Sequence, residues 1–109
     1  MPTKKIMNLI ENTISNEIKD CNRLHCENIA KGIEMGYNYF MKYTMKYYNT
    51  NDNFFVMHQD DVIYELKKII HHNSTCIDSA EEKNTDKIYK LLGEKIALEM
   101  ICEILEEKN

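Results

Sequence analysis

The chain has only three glycines and one proline in 109 residues, and it contains no tryptophan. Phosphate-binding loops and dinucleotide fingerprints need clustered glycines, and neither pattern occurs here. G-x-S-x-G and H-E-x-x-H are absent as well. Ser15, Ser74 and Ser79 are the only serines that could act as nucleophiles, and Ser79 stands in a helix-capping pattern. We therefore expect a protein that is not an enzyme.

Clustered positive charge and long apolar runs are also missing. The net charge is −4 and the lysines are spread along the chain, so the basic patch of a duplex-binding protein is not found. No run of 18 or more apolar residues suggests a membrane span. The apolar run near the N-terminus is too short for a signal peptide. We expect a cytoplasmic protein without membrane or duplex nucleic-acid partners.

Arginine is almost absent: the chain has thirteen lysines and a single arginine, Arg23. Asparagine, isoleucine, glutamate and tyrosine are abundant. This is the amino-acid usage that an A/T-rich coding sequence produces, as in some phages, bacteria, large DNA viruses and protozoa. A phage or virus protein acting in the cytoplasm of a host cell fits this composition.

Hydrophobic periodicity predicts a single all-α domain over residues 1–109, a small bundle of four or five helices. The first helix is expected from Pro2 or Thr3 to about Asp20, with a break near Asn22. Its apolar stripe consists of Met7, Ile10, Ile14, Ile18 and Cys21. The third helix begins near Asn53 or Asp60 and ends near His72, followed by a loop over residues 71–75. The last helix begins at the Ser79 capping box, or at Thr85, and ends near Glu107.

The segment from Leu24 to Tyr48 carries most of the aromatic residues and is predicted to be a helix with two different faces. Gly32 and Gly36 lie four residues apart, a spacing that lets a neighbouring helix approach closely within a bundle. One face is predicted to join the core, and it comprises Cys26, Ala30, Ile33, Tyr37, Phe40, Met41, Thr44 and Tyr48.

The opposite face of this helix mixes tyrosines with lysines, and we predict that it binds a partner through Tyr39, Lys42, Tyr43 and Lys46. Tyrosine is favoured at protein interfaces because its ring buries a large area at a small entropic cost. The same residues could stack a base while the lysines contact phosphate. The net charge of −4 favours a protein partner over a nucleotide. A third alternative is that another helix covers these tyrosines.

The last helix is apolar over more than half of its circumference. Leu91, Leu98, Ile101, Cys102 and Leu105 form one seam. Ile96, Met100 and Ile104, together with Ala97, form a second seam. A helix of this kind is either the centre of a bundle or a subunit interface, and we predict a homo-oligomer, in the simplest case a homodimer, that associates through Ile96, Met100 and Ile104.

Four side chains have the chemistry of zinc ligands. Cys21 and His25 are four residues apart, as are His72 and Cys76, so each pair could occupy two corners of a tetrahedral site, with Cys26 and His71 as substitute ligands. Ordinary packing in the core is the preferred explanation of these residues, and the cysteine pairs of known zinc knuckles are missing. Zinc is therefore kept as an alternative, and no other cofactor is expected.

Taken together, the sequence predicts a non-enzymatic helical interaction protein. Its function is expected to be that of a phage- or virus-type inhibitor or regulator that acts by protein–protein binding. The alternative is a helical domain that binds a small ligand, either a nucleotide signal or zinc.

Overall fold

The computed structural model describes residues 3–48, 54–81 and 83–107, with the side chains of residues 45–48 and 54–57 left out. The described residues form four α-helices: α1 (Thr3–Arg23), α2 (Glu27–Tyr48), α3 (Phe54–Ser79) and α4 (Thr85–Glu107). This result confirms the predicted all-α fold with four helices. None of these described helices is both long and apolar enough to cross a membrane.

The predicted break near Asn22 is confirmed by the way in which α1 ends. The backbone N–H of Cys26 donates to the carbonyl of Cys21 at 2.7 Å, and that of His25 donates to Asn22 at 3.1 Å. This pair of bonds is a Schellman motif, which requires a left-handed residue after the helix. His25 takes that conformation, with φ at 61°, although glycine is the usual residue there. The turn ends α1 at Arg23 and lets α2 begin four residues later.

The predicted end of α3 near His72, with a loop over residues 71–75, is wrong. The helix continues to Ser79. The hydroxyl of Thr75 donates to the carbonyl of His71 at 3.1 Å, and the hydroxyl of Ser79 donates to the carbonyl of Thr75 at 2.9 Å. These polar residues suggest a loop in the sequence, but their hydroxyl groups donate to backbone carbonyls of the preceding helical turn. No glycine or proline interrupts the helix between His71 and Ser79.

The capping box predicted for Ser79 is also wrong, because the Ser79 hydroxyl serves the last turn of α3. The alternative start of the last helix at Thr85 is confirmed. The carbonyl of Asn84 accepts the N–H of Ile88 at 3.0 Å, which places Asn84 at the N-cap position. Asp86 lies in the first turn, where negative charge complements the helix dipole.

The helices α2 and α4 cross in direct backbone contact, as the Gly32 and Gly36 spacing predicted for helix packing within the bundle. A methyl group built on Gly32 would overlap the carbonyl oxygen of Lys90 and lie 2.9 Å from the Cα of Gly93. One built on Gly36 would lie 2.9 Å from the Cβ of Ala97. Since the contacts advance in the same direction on both helices, α2 and α4 run parallel.

This close crossing determines how the other two helices are arranged. α2 and α4 share the largest interface, α1 packs mainly on α2, and α3 packs mainly on α4. α1 and α3 scarcely touch, because the central pair separates them. Within the described residues, α2 and α3 also touch little.

The core lies between the central pair and the two flanking helices. The predicted apolar stripes of α1 and α2 both face it, except that the side chain of Tyr48 lies outside the described residues. Each aliphatic or aromatic side chain buried there stabilises the fold by about 1.5–3 kcal/mol. Its buried members are Ile6, Met7, Ile10, Ile14, Ile33, Phe40, Val62, Ile63, Leu66, Ala97, Leu98, Ile101, Cys102 and Leu105. Ile18, Cys21, Tyr37 and Met41 pack against this cluster.

Candidate functional site

Three large side chains of α2 form one outward stripe beside the core. Met35 is 42% exposed, Tyr39 45% and Tyr43 37%, and their spacing of four residues aligns them along the helix. Lys42 is exposed next to them. We call these four residues the tyrosine face. Lys46, the fourth residue of the predicted binding set, lies outside the described side chains.

The helix α3 extends the tyrosine face with a second aromatic residue. Tyr64 is 64% exposed, and the Nζ of Lys68 lies 5.0 Å from the centre of its ring. A hydrogen bond to Glu65 at 3.1 Å is the main cause that raises the pKa of Lys68, and Tyr64 and Tyr43 add to the effect. Lys68 is therefore close to tyrosines of both helices. The sequence reasoning missed this contact, although the spacing of Tyr64 and Lys68 was a signal for it.

A buried carboxylate lies under the tyrosine face. Glu94 of α4 is only 5% exposed, and it accepts a hydrogen bond from the hydroxyl of Tyr39. Burial raises the pKa of Glu94, and the hydrogen bond from Tyr39 offsets part of that rise. Sequence reasoning did not single out this glutamate. Its position between Leu91 and Leu98, within an otherwise apolar seam, was the available signal.

An open groove of about 520 Å³ continues from the tyrosine face along the first half of α4. Met35 and Leu91 contribute its main apolar surface, and Glu94 lines it as well. Lys87 and Lys90 add positive charge. The groove and the tyrosine face share Met35, and Tyr39 connects them through its bond to Glu94. We call this feature the α4 groove.

The lysines of this surface differ in their charge partners. Lys83, at the end of the α4 groove, pairs with Glu81 at 3.3 Å. Lys42, Lys87 and Lys90 form no ion pair with any residue in the described part of the chain. Three lysines without an ion pair therefore border this surface, and the carboxyl groups of Asp86 and Glu94 line the same groove.

The predicted zinc ligands are brought together only in part. The Sγ of Cys76 and the Nε2 of His72 lie 3.6 Å apart on α3. Cys21 belongs to α1, whereas His25 lies beyond the end of that helix, so these two residues do not share a helical face. Among residues 3–48, 54–81 and 83–107, no three histidine, cysteine, aspartate or glutamate side chains form a group that could hold a metal. Zinc binding by all four residues stays a prediction.

The cysteines differ in burial. All four are free thiols, and Cys102 is the most buried of them. Burial is the main cause that raises the pKa of Cys102 to about 11, and Glu106 adds to it. Burial likewise raises the pKa of Cys21. These two thiols are therefore poor nucleophiles at neutral pH, because little thiolate forms.

The second seam of α4, predicted for self-association, is partly covered within one copy of the chain. Ile96 and Ile104 are half-buried and pack against the core, and Met100 is half-buried too. Each of the three keeps some exposed area. Association through this seam stays a prediction.

Comparison of the chain with protein-family models, with curated proteins and with solved structures gives no significant match. A function can therefore be proposed only from the surface just described.

Proposed function

We propose that this chain is a non-enzymatic helical interaction domain that binds a protein partner through its tyrosine face. The observation that carries the proposal is the exposure of Tyr39 and Tyr43, at 45% and 37%, beside a core that is filled by other residues. Large exposed tyrosine and methionine side chains in one continuous stripe are typical of protein interfaces. Tyr64 on α3 widens the same surface.

The shape of the surface favours a protein over a small molecule. Small-ligand sites are usually enclosed enough to bury most of the ligand. The α4 groove is instead open along its length, and the tyrosine face is convex because it follows a helix. A partner that lies across both would gain more contact than a nucleotide held in the groove alone.

The proposed role is that of an inhibitor or regulator that acts by binding. The lysine-rich, arginine-poor composition supports an origin in an A/T-rich genome such as that of a phage or large DNA virus. Small helical domains from such sources can act in a host cell by covering the surface of another protein. The site contributes affinity in this role, and no chemical step is required of it.

Selection from a displayed library of random peptides tests the proposed function. The immobilised wild-type protein is compared with a variant that carries Met35→Ser and Tyr43→Ser. Enriched peptides are expected to bind the variant about tenfold or more weakly, since loss of two interface anchors typically costs over 1.4 kcal/mol. Tyr39 is left unchanged because its hydroxyl serves Glu94.

Tyr89→Ser is the matched control for this selection. Tyr89 is 47% exposed on α4, and it lines a different depression, formed with the first residues of α2. The control is expected to bind the enriched peptides as the wild type does. Equal binding by all three proteins, or no enrichment at all, would contradict the proposed role of the tyrosine face.

Zinc binding is a second candidate, supported by the Cys76 and His72 side chains at 3.6 Å. Metal analysis of protein purified without a histidine tag tests it. Zinc at one equivalent that is lost in Cys76→Ser would support this candidate, whereas metal-free protein would end it.

A further inference from the structure

We propose that His72 and Cys76 are one half of a zinc site, and that the same two residues of a second copy of this chain complete it. The whole site is a tetrahedron of two cysteines and two histidines that joins two copies through the exposed side of α3. The inference rests on the zinc candidate raised above but changes its ligand set, because Cys21 and His25 take no part. It is independent of the tyrosine face.

The separation of the two ligand atoms is the one that tetrahedral zinc requires. The Sγ of Cys76 lies 3.6 Å from the Nε2 of His72. Zinc binds sulfur at about 2.3 Å and imidazole nitrogen at about 2.0–2.1 Å, and a tetrahedral angle between these bonds places the two ligand atoms about 3.6 Å apart. A hydrogen bond between thiol and imidazole spans the same distance. Zinc therefore takes the place of a shared proton, which passes to water when the thiolate binds the metal.

The pair lies on an accessible and regular part of α3. His72 is exposed and Cys76 is half-buried, so both side chains reach solvent. Residues four apart lie on the same side of a helix, and α3 is continuous from Phe54 to Ser79. The helix therefore fixes the two ligands relative to each other before the metal binds, which lowers the entropic cost of binding.

The described part of one copy brings no third ligand to this pair. Within residues 3–48, 54–81 and 83–107, histidine, cysteine, aspartate and glutamate side chains form no group of three that could hold a metal. Cys21 belongs to α1, which scarcely touches α3. Structural zinc sites are closed by four protein ligands, and two thiolates cancel the charge of the ion. An identical pair on a second copy supplies what is missing when a two-fold axis passes through the metal.

The surroundings of the pair allow a second helix to approach. Thr75 and Ser79 are small residues on the same side of α3, and their hydroxyl groups are bonded to carbonyls of their own helix. One turn before His72, Lys68 pairs with Glu65 at 3.1 Å, so the lysine charge that would repel a cation is compensated. A second copy of α3 therefore meets small, uncharged side chains next to the ligands.

Light scattering during a zinc titration tests the inference. Protein without a histidine tag is kept reduced, freed of metal with EDTA and dialysed before zinc is added. We expect the mass to double relative to the zinc-free protein, with the change complete at about half an equivalent of zinc per chain, and to return when EDTA is added. The zinc-free reference already includes any oligomer that forms through the second seam of α4. Cobalt(II) in place of zinc should give the visible absorption of a tetrahedral site with thiolate ligands.

Cys76→Ser and His72→Ala are each expected to abolish the zinc-dependent doubling and the cobalt absorption. Both side chains reach solvent, so the variants should keep the helix content of the wild type, which circular dichroism checks. His58→Ala is the matched control, because it removes another exposed imidazole from α3. It should behave as the wild type does. A variant with both Cys21→Ser and His25→Ala should also keep the doubling.

The other outcomes overturn the inference and separate it from the proposals above. Zinc bound at one equivalent without a change in mass refutes the shared site, and loss of that zinc in the Cys21→Ser, His25→Ala variant would identify a four-ligand site within one chain. Doubling that EDTA does not reverse would identify an interface that needs no metal. No effect of zinc at all would end both zinc sites. None of these results bears on the tyrosine face, which the peptide selection tests separately.

Discussion

Gly32 of α2 and Gly93 of α4 lie against each other where the two helices cross. A methyl group on Gly32 would lie 2.9 Å from the Cα of Gly93, and one on Gly93 would lie 2.8 Å from the Cα of Gly32. The obstacles are backbone atoms, which cannot move aside as the end of a side chain can. The position of α2 on α4, and with it the exposure of the tyrosine face, depends on these two glycines.

Gly32→Ala and Gly93→Ala are each expected to destabilise the protein. Alanine gains about 1 kcal/mol of helix propensity, but the backbone overlap forces the helices apart and costs more. We expect a net loss of about 1–3 kcal/mol in the free energy of unfolding, measured by urea denaturation. Lys31→Ala, at an exposed neighbouring position, is the control. A glycine variant as stable as the wild type would contradict the close crossing.

Tyr39→Phe tests the hydrogen bond to Glu94. The ring is kept, but the buried carboxylate loses its donor, which is expected to cost about 1–3 kcal/mol in the free energy of unfolding. Tyr64→Phe is the control, because Tyr64 is 64% exposed and a surface change of this kind has an effect within about 0.5 kcal/mol. Equal effects of the two variants would show that the Tyr39 hydroxyl is not needed.

Glu94→Gln is expected to change the pH dependence of stability. Burial raises the pKa of Glu94 in the folded protein above its value in the unfolded chain. Between these two values the folded state keeps a proton that the unfolded state has lost, so the stability of the wild type falls as pH rises through this interval. The glutamine side chain does not titrate, and its amide oxygen can still accept a hydrogen bond from the Tyr39 hydroxyl.

The stability of Glu94→Gln relative to the wild type should therefore increase from about pH 4 towards pH 7. Urea denaturation at a series of pH values measures this difference. Glu99→Gln, at an exposed position of the same helix, serves as the control. Parallel pH profiles for Glu94→Gln and the wild type would show that burial does not affect this carboxyl group.

His25→Gly is expected to stabilise the protein. His25 is held at φ 61°, a conformation that costs a non-glycine residue about 1 kcal/mol and costs glycine little. We expect a gain of about 0.5–1 kcal/mol in the free energy of unfolding, seen as a higher melting temperature. His71→Gly, within α3, should instead lose about 1 kcal/mol. A loss of stability in His25→Gly would indicate that the histidine side chain has a structural role.

Self-association through the second seam of α4 can be tested by light scattering. If Ile96, Met100 and Ile104 form a subunit interface, the wild type has the mass of an oligomer and Met100→Glu has that of a monomer. Met35→Glu places the same charge on the tyrosine face and should leave this oligomer intact. A wild-type protein that is monomeric at all accessible concentrations would contradict the predicted homo-oligomer.

The sequence predicted the helices best where apolar residues recur with a regular period. The stripes of α1 and α2 were predicted correctly, and the phase shift between Cys21 and Cys26 located the turn that separates the two helices. Polar segments were predicted less well. His72 looked like a helix end and Ser79 like a helix start because polar residues cluster there, yet the hydroxyl groups of Thr75 and Ser79 bond to carbonyls one turn earlier and α3 continues to Ser79.

The candidate site was predictable only on its α2 side. Tyr39 and Tyr43 lie opposite the core stripe of their own helix, so their outward direction follows from the sequence. Lys68 and Glu94 come from other helices, and no local pattern pairs them with Tyr43 and Tyr39.

By itself, the sequence determined the helical class, the turn after α1 and the two faces of α2, because each depends on neighbours within a few residues of the chain. Only the tertiary structure decided that α2 meets α4 through Gly32 and Gly93, and that α3 leaves the tyrosines uncovered. These features depend on which backbones can approach one another, and that is determined by the shapes of side chains far apart in the chain.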